Sequence, residues 1–159
     1  MKRIINIGII GSYNFFNKDF VESEFLNFFK EKFSIDISGR NNKDIKIITG
    51  GGGEGVEWIA EHILMPKFNT DIEVVYPEWD SVYHPEAIVK INKIGKEYNY
   101  NAPLLQMEMI IALSDYVLLF FYDRDKKLPI LIDKCKDFNV LYKKINLKGV
   151  HNAEISVRS

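Results

Sequence analysis

The segment with the clearest chemical signature is Thr49-Gly50-Gly51-Gly52-Gly53-Glu54-Gly55-Val56-Glu57. Glycines between an apolar run and a helical pattern let backbone N–H groups approach an oxyanion, and a helix N-terminus adds about half a positive charge. Gly50 and Gly55 have the spacing of a P-loop, but Val56-Glu57 stands where that loop needs Lys and Ser/Thr, so the P-loop is excluded. Gly50, Gly52 and Gly55 also satisfy G-x-G-x-x-G, with Glu78 as a ribose ligand. Four consecutive glycines satisfy that pattern too easily, and it falls on the second strand rather than the first. Glu54 and Glu57 bring carboxylates to the same loop, the residue type for acid–base work on an N-glycosidic bond. The plainer reading is that Glu57 favours the dipole of the helix it opens and Glu54 is exposed.

Other candidates are scattered. Trp79, and Tyr13 with Phe15 and Phe16, offer rings to stack on a base or to close over core. Trp58 and His62 share a helical face, which favours packing, and His84 has no second histidine near it. Asp123 and Asp125 are too few for a convincing metal site, so no metal or cofactor is expected. Cys135, the single cysteine, excludes an internal disulfide and a cysteine-based zinc cluster, and reads as core.

The elements that must position these residues alternate. Residues 3–10 read as a strand ending at Gly11-Ser12, and Asn17 caps a helix whose face is Phe20, Val21, Phe25, Phe28 and Phe29. Residues 34–44 read as a surface loop and 45–49 as a strand. A helix opens at the end of the glycines and stops by Pro66. A strand over 71–76, a helix from Pro85 to about Lys96, a helix from Pro103 to Ser114, a strand over 116–122, a helix near 128–137 and a strand over 139–142 follow. This alternation predicts an α/β, Rossmann-like three-layer sandwich with a mainly parallel sheet of about five strands. Residues 1–145 make the domain, and 146–159 a tail with an added strand through Ile155-Ser156-Val157 as one reading. Ligands in such sheets bind beyond the carboxyl ends of the strands, at Gly11-Ser12, residues 50–55, 77–80 and 123–125.

The run Thr-Gly-Gly-Gly-Gly-Glu-Gly-Val-Glu-Trp-Ile-Ala resembles the (S/T)-G-G-A-R-G-x-D-x-x-A signature of the SLOG superfamily, which includes DprA and the LOG phosphoribohydrolases. Gly11-Ser12 with its aromatic loop, Pro77-Glu78-Trp79 and Ser114-Asp115 are similar to motifs of the small standalone YspA-like branch. That branch is often carried by phages or mobile elements. The resemblance covers roughly residues 4–142. It implies ligand-binding residues at Gly11, Ser12, Tyr13, Gly50, Gly51, Gly52, Gly53, Gly55, Trp79 and Gln106, with Glu57 and Glu54 as catalytic candidates.

The departures concern charge. The family implies Arg where Tyr13 and Glu54 stand, Arg-Asn near Gln106, and Ser-x-Gly-Thr where residues 123–129 have neither Gly nor Thr. Of 21 basic residues only four are Arg (Arg3, Arg40, Arg124, Arg158), none at those positions, so a bound phosphate is expected to rely on glycine-loop amides. The resemblance implies a protein that binds a nucleotide-derived small molecule as sensor or sequestering protein. The alternatives are a LOG-like hydrolase of nucleosides or nucleotides, and a non-catalytic assembly protein with a degenerate site. A homo-oligomer is expected on the same ground. The net charge of −1 argues against general nucleic-acid binding. No apolar run approaches the roughly 20 residues that cross a bilayer, and no signal sequence is visible, so a cytoplasmic protein without a membrane partner is expected.

Overall fold

Alternation within the strands decides the layering. Ile7 and Ile9 of β1 (Ile5–Gly11), Ile45 and Ile47 of β2 (Asn42–Thr49) and Leu118 and Phe120 of β6 (Tyr116–Phe121) all join one buried cluster. Ile10, Ile48, Val117, Leu119 and Phe121, on the opposite face of the same strands, join a second. A sheet buried on both faces needs helices on both, and a computed structural model, which describes residues 3–150, supplies them.

The sheet has five strands in the order β3-β2-β1-β6-β7, all parallel, with β3 at Thr70–Val74 and β7 at Leu141–Asn146. One face is covered by α1 (Lys18–Phe33) and by a helix running from Val56 to Phe68. The other face is covered by α4 (Ala102–Leu113) and α5 (Lys127–Asp137). This is the α/β Rossmann-like sandwich. Chain progression reverses between β1 and β6, which makes their carboxyl ends the switch point of the fold.

The Asn17 side chain accepts from the Phe20 N–H at 3.1 Å and starts α1, while Ser34 ends it in the left-handed region. The stretch read as a surface loop over 34–44 is anchored instead. Asn42 is fully buried and its amide donates to the carbonyls of Ile37 and Phe68, tying the loop to β2 and to the end of the helix opposite.

Two expectations about helices are corrected. The helix that opens at Val56 does not stop by Pro66. It runs as α2 (Val56–Ile59), a π-helical segment (Ala60–Leu64) and α3 (Met65–Phe68), with Pro66 in the first turn of α3. Proline lacks an N–H and collides with the carbonyl four residues back, and one wide turn before it absorbs both problems. Residues 85–96 are not helical. They hold β4 (Val89–Ile91), paired antiparallel with β5 (Glu97–Asn99) in a separate two-stranded sheet. Asn92 turns the hairpin, its side chain accepting from the N–H groups of Ile94 and Lys96, with Gly95 at φ +82. Local turn chemistry and β-branched Val89 and Ile91 outweigh the helical spacing. The reading of 155–157 as a strand lies outside the described residues. Among the described residues no helix is long and apolar enough to cross a membrane.

Candidate functional site

The carboxyl ends of β1, β2, β3 and β6 meet at one edge, but the predicted residues there do not form one site. They divide among three cavities. Between the ends of β1 and β6, at the switch point, lies a cavity of about 530 Å³ whose lining includes Gly11, Ser12, Tyr13, Asn14, Glu57, Arg124 and Lys127. Gly53, Glu54 and Gly55 lie on a second cavity of about 420 Å³ beside Trp58. Gln106 lies on a third of about 240 Å³, beneath Tyr76, Glu78 and His84. Gly50, Gly51, Gly52 and Trp79 line none of these. Trp79 sits half exposed on the hairpin insertion, its ring 6.4 Å from that of Tyr98.

The glycine loop is folded in on itself. The Gly50 N–H donates to Glu57 Oε1 at 2.6 Å, and the Gly50 carbonyl accepts from Gln106 Nε2 at 2.6 Å. The same Gln106 nitrogen donates to the Val75 carbonyl at 2.8 Å, so this side chain clamps the ends of β2 and β3. Gly51 and Gly55 adopt φ of +69 and +83. A Cβ on Gly55 would strike the Tyr13 backbone and lie 2.5 Å from the Ser12 carbonyl oxygen, which accepts from the Val56 N–H at 3.1 Å. A glycine is required there because two loops touch, which is a packing role.

Glu57 projects from the first turn of α2 into the switch-point cavity. Burial pushes its carboxyl up to about 7, with Glu61 adding to the rise, against the opposing effects of the Gly50 N–H and the Lys127 ammonium. Glu61 is itself held by the Thr49 hydroxyl at 3.0 Å. A carboxyl that changes charge near neutrality inside a cleft is suited to proton transfer or to charge-dependent binding.

Sequence reasoning missed Arg124 and Lys127. Both are exposed, both border the cavity, and among the described residues neither forms an ion pair. Arg124 lies 5.5 Å from the Tyr122 ring, and Lys127 opens α5. The Gly50 amide is already spent on Glu57, and two cations stand at the cavity where a motif search saw none. The signal available was positional, since a loop after an interior strand belongs to the ligand edge whatever its motif.

Several plain readings hold. Trp58 and His62 stack at 4.7 Å, and the His62 ring is 3.1 Å from the Trp58 carbonyl. Cys135 is buried on the inner face of α5, where burial pushes its thiol up to about 11. Asp123 accepts from the Asn146 amide at 2.7 Å.

No family model matches this sequence, and no curated protein does either. A search of solved structures finds the DNA processing protein A of Helicobacter pylori, described for its single-stranded DNA binding mode. The TM-score is 0.57 at 15% identity, over 98% of this chain and 73% of that one. The chain therefore has a DprA-like fold. The neighbour also overturns the expectation of no general nucleic-acid binding. That protein is described as binding single-stranded DNA, and single strands are held by stacking and local cations that net charge does not report.

Proposed function

We propose that the chain binds a nucleotide-derived small molecule in the cavity between β1 and β6, as a sensor or a sequestering protein. The observation that carries this reading is the convergence there of the Glu57 carboxyl, the exposed Tyr13 ring and the cations Arg124 and Lys127. A volume of about 530 Å³ lies within the range of small-molecule sites. Arg124 offers a planar fork and Lys127 a point charge for phosphate oxygens. Tyr13 offers a face for a base, and Glu57 an acceptor or donor for a sugar hydroxyl.

Thermal denaturation with nucleoside monophosphates, ADP-ribose and an oligothymidylate tests it. A ligand that binds only the folded state adds about 2.7 kcal/mol at a hundredfold excess over its Kd. Stabilisation by a mononucleotide or ADP-ribose, lost in Arg124→Ala, is the expected result. Stabilisation by the oligonucleotide alone would replace the small-molecule reading with single-strand binding.

A second reading has its own observation. The Glu57 carboxyl, held near neutrality at the cavity wall, fits the acid–base residue of an N-glycosidic hydrolase. Release of free base from a nucleoside monophosphate, abolished in Glu57→Ala, would establish it.

A further inference from the structure

The cavity between β1 and β6 carries a conflict of charge. Arg124 and Lys127 favour an anion, while Glu57 at the same wall repels one when ionised. The groups around Glu57 come from every element packed on it. The Gly50 N–H and the Glu61 carboxylate come from the glycine loop and the next helical turn, and Tyr13 from the loop after β1. Arg124, Asp125 and Lys127 come from the loop after β6, where Asp125 is already an acceptor for the Lys127 N–H at 2.9 Å. Gln106 of α4 approaches from the other side of Gly50, its amide nitrogen committed to the carbonyls of Gly50 and Val75.

Neither described histidine with a ring contact or cavity position shares this site. His62 stacks on Trp58, and His84 lies on the cavity beneath Tyr76. Glu57 is thus the group there that can change charge near neutral pH. One of its oxygens is held by Gly50, and a proton on the carboxyl would turn it from a repelling acceptor into a donor.

Resting on the reading of this cavity as a ligand site, we infer that an oxyanion enters it together with a proton. Arg124 and Lys127 hold the anion, and Glu57 takes up the proton and donates it as a hydrogen bond to an anion oxygen. The ligand class is a phosphate or sulfate monoester, or the free oxyanion. Binding is therefore stronger in acid than in base across the physiological range.

Sulfate is the probe, because it stays dianionic from pH 6 to 8 and any pH dependence belongs to the protein. Titration calorimetry at both pH values, in two buffers of different ionisation enthalpy, reads affinity and proton uptake together. With the free carboxyl titrating at about 7, sulfate should bind about tenfold more weakly at pH 8 than at pH 6. Glu57→Gln, which keeps an acceptor for Gly50, should bind at pH 8 as tightly as the unaltered protein does at pH 6, with no slope. Arg124→Gln with Lys127→Gln should lose sulfate binding at both.

No sulfate binding, equal affinity at both pH values without proton uptake, or an unchanged slope in Glu57→Gln overturns the inference. Sulfate binding with proton uptake but no response to any nucleotide supports it and overturns the nucleotide reading. Nucleotide binding without proton uptake does the reverse.

Discussion

Two loops at the same edge of the sheet divide appearance from availability. The glycine loop after β2 is conspicuous in the sequence, yet the polar groups of its first glycine serve the protein. Gly50 is bonded through both its N–H and its carbonyl, and Gly55 lies against Tyr13. The loop after β6, residues 122–126, matches no motif, yet it and the first residue of α5 present Arg124 and Lys127 to the switch-point cavity. A loop rich in glycine can have its ends committed to packing and internal bonds, and a loop of ordinary charged residues can be the one left open.

Substitutions can break that contrast. The largest effect is expected from Gly55→Ala. Its φ of +83 and the approach of the Tyr13 backbone together should cost about 3 kcal/mol, read from urea denaturation. A loss near zero would mean that the two loops do not depend on each other.

Gln106→Leu comes next. It leaves the carbonyls of Gly50 and Val75 without their donor, at a cost of about 2 kcal/mol by the same measurement.

Glu57→Gln should act in the opposite sense. A carboxyl raised to about 7 stays protonated in the folded chain while the unfolded chain ionises near its ordinary value of 4.5. The folded state binds more protons in that window, so stability falls as pH rises from about 4.5 to about 7 and then levels off. The glutamine protein should match the original at pH 4 and exceed it by about 1–3 kcal/mol at pH 8, in paired denaturation curves.

Arg124→Ala is the smallest, within about 0.5 kcal/mol, since the side chain is exposed and forms no ion pair among the described residues. A large loss of stability there would make Arg124 structural and leave the cavity a single cation.

The layering was readable because Ile7, Ile9 and Ile10, Ile47 and Ile48, and the run 117–121 are apolar on both sides of each strand. That pattern has few solutions other than a covered parallel sheet. The hairpin was not readable, because Ala87, Ile88, Ile91 and Ile94 also fit a helical stripe, and what decides is the Asn92 turn. Sequence also placed Tyr13 and Glu57 near the ligand edge. It could not show that Gln106 is committed to Gly50 and Val75, a bond between residues 56 and 31 positions apart. Nor could it show Arg124 and Lys127 beside Glu57, since that proximity follows from which strands are neighbours, β1 beside β6.

Cys135 turns α5 into a clock. The helix that begins at Lys127 carries this buried thiol a little over two turns on. With the thiol pushed up to about 11, only about one molecule in a thousand holds a thiolate at pH 8 while the helix is seated. A thiol reagent therefore reacts in proportion to how often α5 opens from the sheet, when reclosing is fast. Whatever fastens the first turn of that helix will be seen as a delay at its far end.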